Sequence, residues 1–160
     1  MPRDLEVRSG GQTGVDRGAL DAALALGLPC GGWCPRGRRA EDGPIADRYP
    51  LREAPSAAYP LRTEWNVRDS EGTLILHLGR TDRGTALTEG LARRYGRPLL
   101  RLDLRDAHPD DLRRWLAENG VLILNVAGPR ESRAPGIQQR ARSFLEAALL
   151  PPATQRGRNQ

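Results

Sequence analysis

A chain of 160 residues with 38% hydrophobic and 28% charged content has the length for one domain with a real core. No stretch approaches the roughly 18 apolar residues of a spanning helix, and Met1-Pro2-Arg3-Asp4 lacks the apolar run of a signal peptide, so a soluble cytoplasmic protein is expected. The net charge is +5 and all 25 basic residues are arginine, which reflects either codon bias or a use for anion-binding forks; acids interleave with them, which points away from nucleic acid.

The first strand is expected over about Glu6 to Ser9. Gly10-Gly11-Gln12-Thr13-Gly14 follows. A helix then starts at Val15, because Val15, Ala19, Ala22, Ala23 and Leu26 fall on one helical face and Gly27 supplies the stop. Residues 31–50 show no period and read as a long functional loop, with a short strand near Pro50 to Glu53. Arg62 to Val67 reads as a short helix. The continuous apolar run Thr73 to Leu78 reads as a buried parallel strand. A helix over Ala86 to Tyr95, a strand over Pro98 to Leu104 and a helix over Asp110 to Asn119 come next. Val121 to Val126 is the most hydrophobic strand, and a last helix spans Pro135 to Leu149. Strands alternating with helices predict an α/β, three-layer Rossmann-like fold: a mainly parallel sheet with helices on both faces. Residues 1–150 are expected to form a single ligand-binding domain, and 151–160, which have no apolar period, a frayed tail.

Three apolar strands run into polar, glycine-bearing loops at Ser9 to Asp16, Gly79 to Thr88 and Asn125 to Ser132. In a parallel sheet these loops open on one edge, where ligands bind. Helix N-termini there offer N–H groups and partial positive charge to an anion, and glycine admits close backbone approach. The candidate binding residues are Gly10, Gly11, Gln12, Thr13 and Gly14 of the first loop; Gly79, Gly84 and Thr85 of the second; and Asn125, Gly128, Arg130 and Glu131 of the third. Thr13 and Thr85 have a second reading as helix caps. Asp16 orients a ligand or complements the helix dipole. Arg17, Arg38, Arg39, Arg62 and Arg130 are anion forks or solvated charges, and Arg130 has the strongest case because it sits in a strand-end loop. Glu41, Asp42 and Asp69 are acid/base groups, ribose contacts or plain loop charges. Trp33 stacks on a planar ring or covers the core. The first loop is not a Walker A loop, since no Gly-Lys-Ser/Thr follows. Cys30, Cys34, His77 and His108 lack zinc spacing, so no metal site is expected.

Several of these stretches resemble a known family. They are Ser9-Gly-Gly-Gln-Thr-Gly-Val-Asp-Arg-Gly-Ala-Leu-Asp21, Gly32-Trp-Cys-Pro-Arg-Gly-Arg-Arg-Ala-Glu-Asp-Gly43, Arg62-Thr63 with Asn66-Val67, Asp69 to Thr73, and Asn125-Val-Ala-Gly-Pro-Arg-Glu-Ser132. Together they resemble the "putative molybdenum carrier" proteins, a circularly permuted branch of the SLOG superfamily, over about Val7 to Leu149. The resemblance implies a Rossmann-like fold, a homo-oligomer (dimer or tetramer), and a pocket for molybdenum cofactor, molybdate or a nucleotide-derived ligand. One departure stands out: members often carry Gly-Gly-Thr after the central strand, whereas here Arg83 precedes Gly84-Thr85. A carrier is the expected function. The alternative is a nucleotide-processing enzyme cleaving an N-glycosidic bond as the phosphoribohydrolase relatives do, which requires Asp16, Glu41 or Asp42 beside the ribose. No catalytic residue is singled out.

Overall fold

The computed structural model describes residues 4–150, so the tail expected at 151–160 lies outside the described residues. Five strands make one parallel sheet: β1 (Glu6–Arg8), β2 (Cys30–Gly31), β7 (Gly72–His77), β8 (Leu99–Asp103) and β9 (Ile123–Ala127), in the order β2-β1-β9-β7-β8. β7 is buried along its whole length, as its unbroken apolar run requires, and pairs with β8 through Thr73↔Leu99 and with β9 through Thr73↔Asn125.

The helices are α1 (Val15–Leu26), α2 (Tyr59–Arg68), α3 (Arg83–Arg94), α4 (Pro109–Asn119) and α5 (Ile137–Leu149). One apolar cluster joins Val15 and Ala19 of α1, Leu112 of α4, and Ile137 and Leu145 of α5 to Val7, Leu74, Leu76, Leu124 and Val126 of the sheet. Each fully buried Val, Leu or Ile contributes roughly 1.5–3 kcal/mol, so this layer anchors the fold. The opposite face carries α2 and α3, joined through Val67, Leu91 and Ala92. α1 ends where the Gly27 and Leu28 amides donate to the Leu24 and Ala23 carbonyls, with Gly27 at φ 70°.

The connections follow one rule. β1 to β2 moves toward one edge over the α1 face, β7 to β8 moves toward the other edge over the α3 face, and β8 returns to β9 over the α4 face. A single crossover hand demands this alternation. The chain therefore leaves β9 and β7 toward opposite faces, and a crevice opens beyond their carboxyl ends.

Local differences from the sequence reading have identifiable causes. α3 starts at Arg83 rather than Ala86, because Asp82 is its cap: the Asp82 carboxylate accepts the Thr85 amide at 3.0 Å. α2 begins three residues early, at Tyr59, with Pro60 in its first turn where no N–H is needed. Its buried residues are Asn66 and Val67, too few to show a stripe.

The segment read as a long loop without period is tightly built, and the short strand expected near Pro50 to Glu53 is present at Arg52–Glu53. Besides β2 it contains β3 (Trp33–Cys34), paired in parallel with β6 (Arg52–Glu53), and the antiparallel pair β4 (Arg39–Ala40) and β5 (Gly43–Pro44). Arg38, at φ 52°, organises it from inside. Its guanidinium donates to the Ala46, Tyr49 and Leu51 carbonyls at 2.8, 3.0 and 3.1 Å, and more distantly to that of Ile45. Those bonds satisfy backbone groups that no long ladder reaches. Ile45, Tyr49 and Leu51 pack with Leu20 and Cys34 into a small core of their own.

Candidate functional site

A cavity of about 600 Å³ occupies the crevice between β7 and β9. Gly10, Gln12 and Asp16 form one wall, and Asn125 to Arg130 with Ile75 form the floor and a second wall. The opposite side is α2, through Tyr59, Pro60, Arg62, Thr63 and Asn66, and α3, through Arg83 to Thr85, Leu87 and Thr88. Gln12, Thr85 and Gly128, from three separate loops, thus border one space.

Its charge is predominantly positive. Arg62, Arg83, Arg130 and Arg133 line it against Asp16 and Asp82. Arg62 donates through Nη1 to Asp16 Oδ2 at 2.9 Å, while its Nε is buried without a partner. Asp82 is committed to capping α3. Among the described residues, Arg83, Arg130 and Arg133 form no ion pair. The amides of Gly10, Arg83 and Gly84 find no acceptor among the described residues either, so N–H donors accompany the guanidinium groups.

The wall beside β1 depends on the absence of a side chain at Gly10: a Cβ there would stand 1.6 Å from Arg62 Nη1 and 3.0 Å from Asp16 Oδ2. Asp16 is 5% exposed. Burial pushes its carboxyl above the ordinary value, against the opposing pull of the Arg62 guanidinium and the Gln12 amide. Arg62 and Arg130 both lie over the Tyr59 ring, with Cζ 5.3 and 5.9 Å from its centroid.

Of the residues singled out in the sequence, Gly10, Gln12, Asp16, Arg62, Gly84, Thr85, Asn125, Gly128 and Arg130 border the cavity. The others lie elsewhere. Glu41 sits behind the wall and accepts from Thr13 Oγ1, from the Ser132 amide at 3.1 Å and from Ser132 Oγ at 2.6 Å. Thr13 Oγ1 in turn accepts the Glu131 amide at 3.1 Å, and Glu131 caps α5 by accepting from the Gly136 and Gln138 amides. Partial burial works to raise the Glu41 pKa, but the Ser132 and Thr13 donors outweigh it and hold the carboxyl below its usual value. Arg17 forks onto Asp42 and reaches the Gly11 carbonyl at 3.2 Å, and that hydrogen-bonded fork keeps Asp42 ionised below the usual range. The Gly14 amide donates to Gln138 at 3.0 Å. Thr13, Gly14, Arg17, Glu41, Asp42 and Glu131 therefore clamp the long segment and α5 to the first loop. Gly11 packs against Leu51 and Ile45.

Arg38 spends its donors on carbonyls, and the Gly79 amide donates to Asp103 at 3.2 Å. Trp33 lies in another region, edge-on to Trp65, with Nε1 donating to Asp69 at 2.9 Å. It borders a separate cavity of about 280 Å³ with Arg8, Arg52 and Asp69. Tyr59, Leu87 and Arg133 were not singled out by sequence, and Arg83 only as a departure from the family's loop. Among 25 arginines nothing local marks Arg133 as one that lines the cavity; for Arg62, the Arg62-Thr63 motif was the available signal.

No helix among the described residues is long and apolar enough to cross a membrane. Among them no group of three or more His, Cys, Asp or Glu side chains is placed to hold a metal ion. The comparisons with known proteins agree with the fold. A crystal structure of a protein from Syntrophus aciditrophicus SB named "putative molybdenum carrier protein" is similar, at 43% identity and TM-score 0.87, covering 92% of this chain and 96% of that one. No match was found among curated proteins. The model of the circularly permutated YpsA SLOG family matches residues 7–149. With nearly the whole described chain matched and the sheet, crevice and loops in place, the chain belongs to that family.

Proposed function

We propose that this protein is a cytoplasmic carrier that binds a phosphate-bearing or oxyanionic ligand, molybdenum cofactor or molybdate, in the crevice between β7 and β9. The observation that carries the reading is the set of three guanidinium groups, Arg83, Arg130 and Arg133, that form no ion pair among the described residues, together with the Gly10, Arg83 and Gly84 amides that find no acceptor among them. Guanidinium forks and helix N-terminal amides both match tetrahedral oxyanions. Size refines the choice. About 600 Å³ is the scale of a pocket for a drug-sized organic ligand, far more than one oxyanion fills. A phosphate monoester with a pterin or nucleoside body matches the space better than bare molybdate. The name of the Syntrophus protein supports a molybdenum-related ligand.

The test is metal and organic analysis of the purified protein by native mass spectrometry, with calorimetric titration of molybdate into the wild type and Arg130→Ala. Each charge-assisted hydrogen bond lost costs about 1.5–3 kcal/mol, so roughly a tenfold or greater loss is expected for Arg130→Ala. Equal affinity would remove Arg130 from the site, and a wild type that carries no anionic ligand and binds neither molybdate nor AMP would end the reading. We also propose one ligand-binding domain over residues 1–150 and a homo-oligomer of two or four chains, checked by light scattering.

Asp16 favours a second reading, an enzyme cleaving the N-glycosidic bond of a nucleoside phosphate. Of the three carboxylates this chemistry could use, Glu41 and Asp42 are engaged in the clamp and Asp16 borders the cavity. Water would add to the anomeric carbon as the C–N bond breaks, with a proton passing to the leaving base and Asp16 as the proton-transfer group. Free adenine released from AMP by the wild type and not by Asp16→Asn would establish this reading, and no release would discard it.

A further inference from the structure

We propose that Tyr59 and Leu87 form a ring-binding lip, so that the ligand is a planar aromatic heterocycle carried on a phosphate and recognised by stacking. This rests on the anion-binding reading above and names the other half of the ligand. Tyr59, 36% exposed in the first turn of α2, and Leu87, 39% exposed on α3, are two of the four large apolar side chains left most open among the described residues. Both line the same cavity, together with Pro60. Two large exposed apolar groups bordering a mouth that is otherwise arginine-rich mark a place for an apolar surface of the ligand.

The charges beside Tyr59 sharpen the assignment. Arg62 and Arg130 approach its ring from 5.3 and 5.9 Å, so anion-binding groups and an aromatic face adjoin. A ligand with its phosphate on the arginines therefore brings its next rigid part onto Tyr59 or Leu87.

Apart from the arginines, which the phosphate engages, the polar side chains Thr63, Asn66 and Thr88 on this side are already occupied. Thr63 Oγ1 donates to the Tyr59 carbonyl at 3.1 Å and Thr88 Oγ1 to that of Gly84 at 3.0 Å. Asn66 exchanges two hydrogen bonds with the Trp33 backbone, at 2.8 and 2.9 Å. Few donors or acceptors are left to read the edge of a heterocycle, so the lip recognises its face. Stacking is sequence-tolerant for nucleic-acid bases for the same reason: every base has a π-face.

The experiment measures dissociation constants for AMP, GMP and ribose 5-phosphate with the wild type, Tyr59→Ala, Tyr59→Phe and Leu87→Ser, each checked for folding by circular dichroism. Stacking on one aromatic side chain predicts a preference of roughly tenfold for AMP over ribose 5-phosphate, with AMP and GMP within about threefold of each other. That preference should fall toward one in Tyr59→Ala, shrink in Leu87→Ser and persist in Tyr59→Phe. A wild-type preference near one, or a wild-type ratio retained in both Tyr59→Ala and Leu87→Ser, overturns the lip while leaving the anion site standing. Equal weakening of AMP and ribose 5-phosphate by Tyr59→Ala also overturns it, since Tyr59 would then only steady the arginines. If none of these probes, nor molybdate, binds the wild type, the anion-binding reading itself fails and the lip fails with it.

Discussion

Gly10→Ala isolates the arginine wall from the fold. The added methyl would lie 1.6 Å from Arg62 Nη1 and 2.8 Å from its Cζ. Gly10 is not in the left-handed region, so alanine fits the backbone, and the colliding atoms are the far end of a flexible side chain beside an open cavity. The guanidinium must leave, and the 2.9 Å pair with Asp16 breaks. Breaking a buried pair costs about 3–5 kcal/mol when one charge is stranded. Here Arg62 can swing to solvent and Asp16, already pushed toward protonation by burial, can take a proton, so about 1–2 kcal/mol is expected. Molybdate affinity should fall further, by roughly 10- to 150-fold, because a guanidinium bond to the anion is worth about 1.5–3 kcal/mol. Urea denaturation and calorimetry read the two effects separately. Gly128→Ala is the contrast: its Cβ would meet the Leu76 carbonyl at 2.3 Å and Val15 Cγ2 at 2.6 Å, neither of which can swing away. About 3 kcal/mol or more of stability should go. Gly10→Ala with full molybdate affinity would refute the placement of Arg62 at the anion.

Other outcomes follow from the same geometry. Sulfate, whose charge is constant above pH 3, should bind with proton uptake, because an anion near Arg62 raises the already elevated Asp16 pKa further. Affinity should then be greatest at low pH and decline as pH rises through the Asp16 range. Calorimetry in buffers of different ionisation enthalpy reads the proton, and Asp16→Asn should abolish it. Arg38→Ala should cost about 2–4 kcal/mol in urea melts by freeing the carbonyls it gathers, with molybdate affinity retained; a loss of affinity at full stability would contradict the structural role. Gly90→Ala, exposed within α3 with open space around its Cβ, should raise stability by about 0.5–1 kcal/mol, and an unchanged thermal midpoint would contradict that.

The sequence alone determined the alternation of strands and helices, the parallel sheet and the edge where the loops gather, because each depends on local spacing: the run at Thr73–Leu78, the helical face from Val15, the stops at Gly27 and Gly120. It determined less well where α2 and α3 begin, since an Asp82 cap and a polar, Pro60-bearing turn leave no apolar period. Only the tertiary structure decided which polar residues face the crevice. Glu41, Asp42, Arg17 and Arg38 look like ligand groups along the chain, yet partners distant in sequence consume them: Ser132 for Glu41, Leu51 for Arg38, and Arg17 and Asp42 each other. Trp33 sits apart from the cavity, while Tyr59 and Leu87, unremarkable in sequence, both line it. The reason is geometric: a side chain's use depends on what the opposite departures of β7 and β9 bring beside it, and that neighbour lies tens of residues away in the chain.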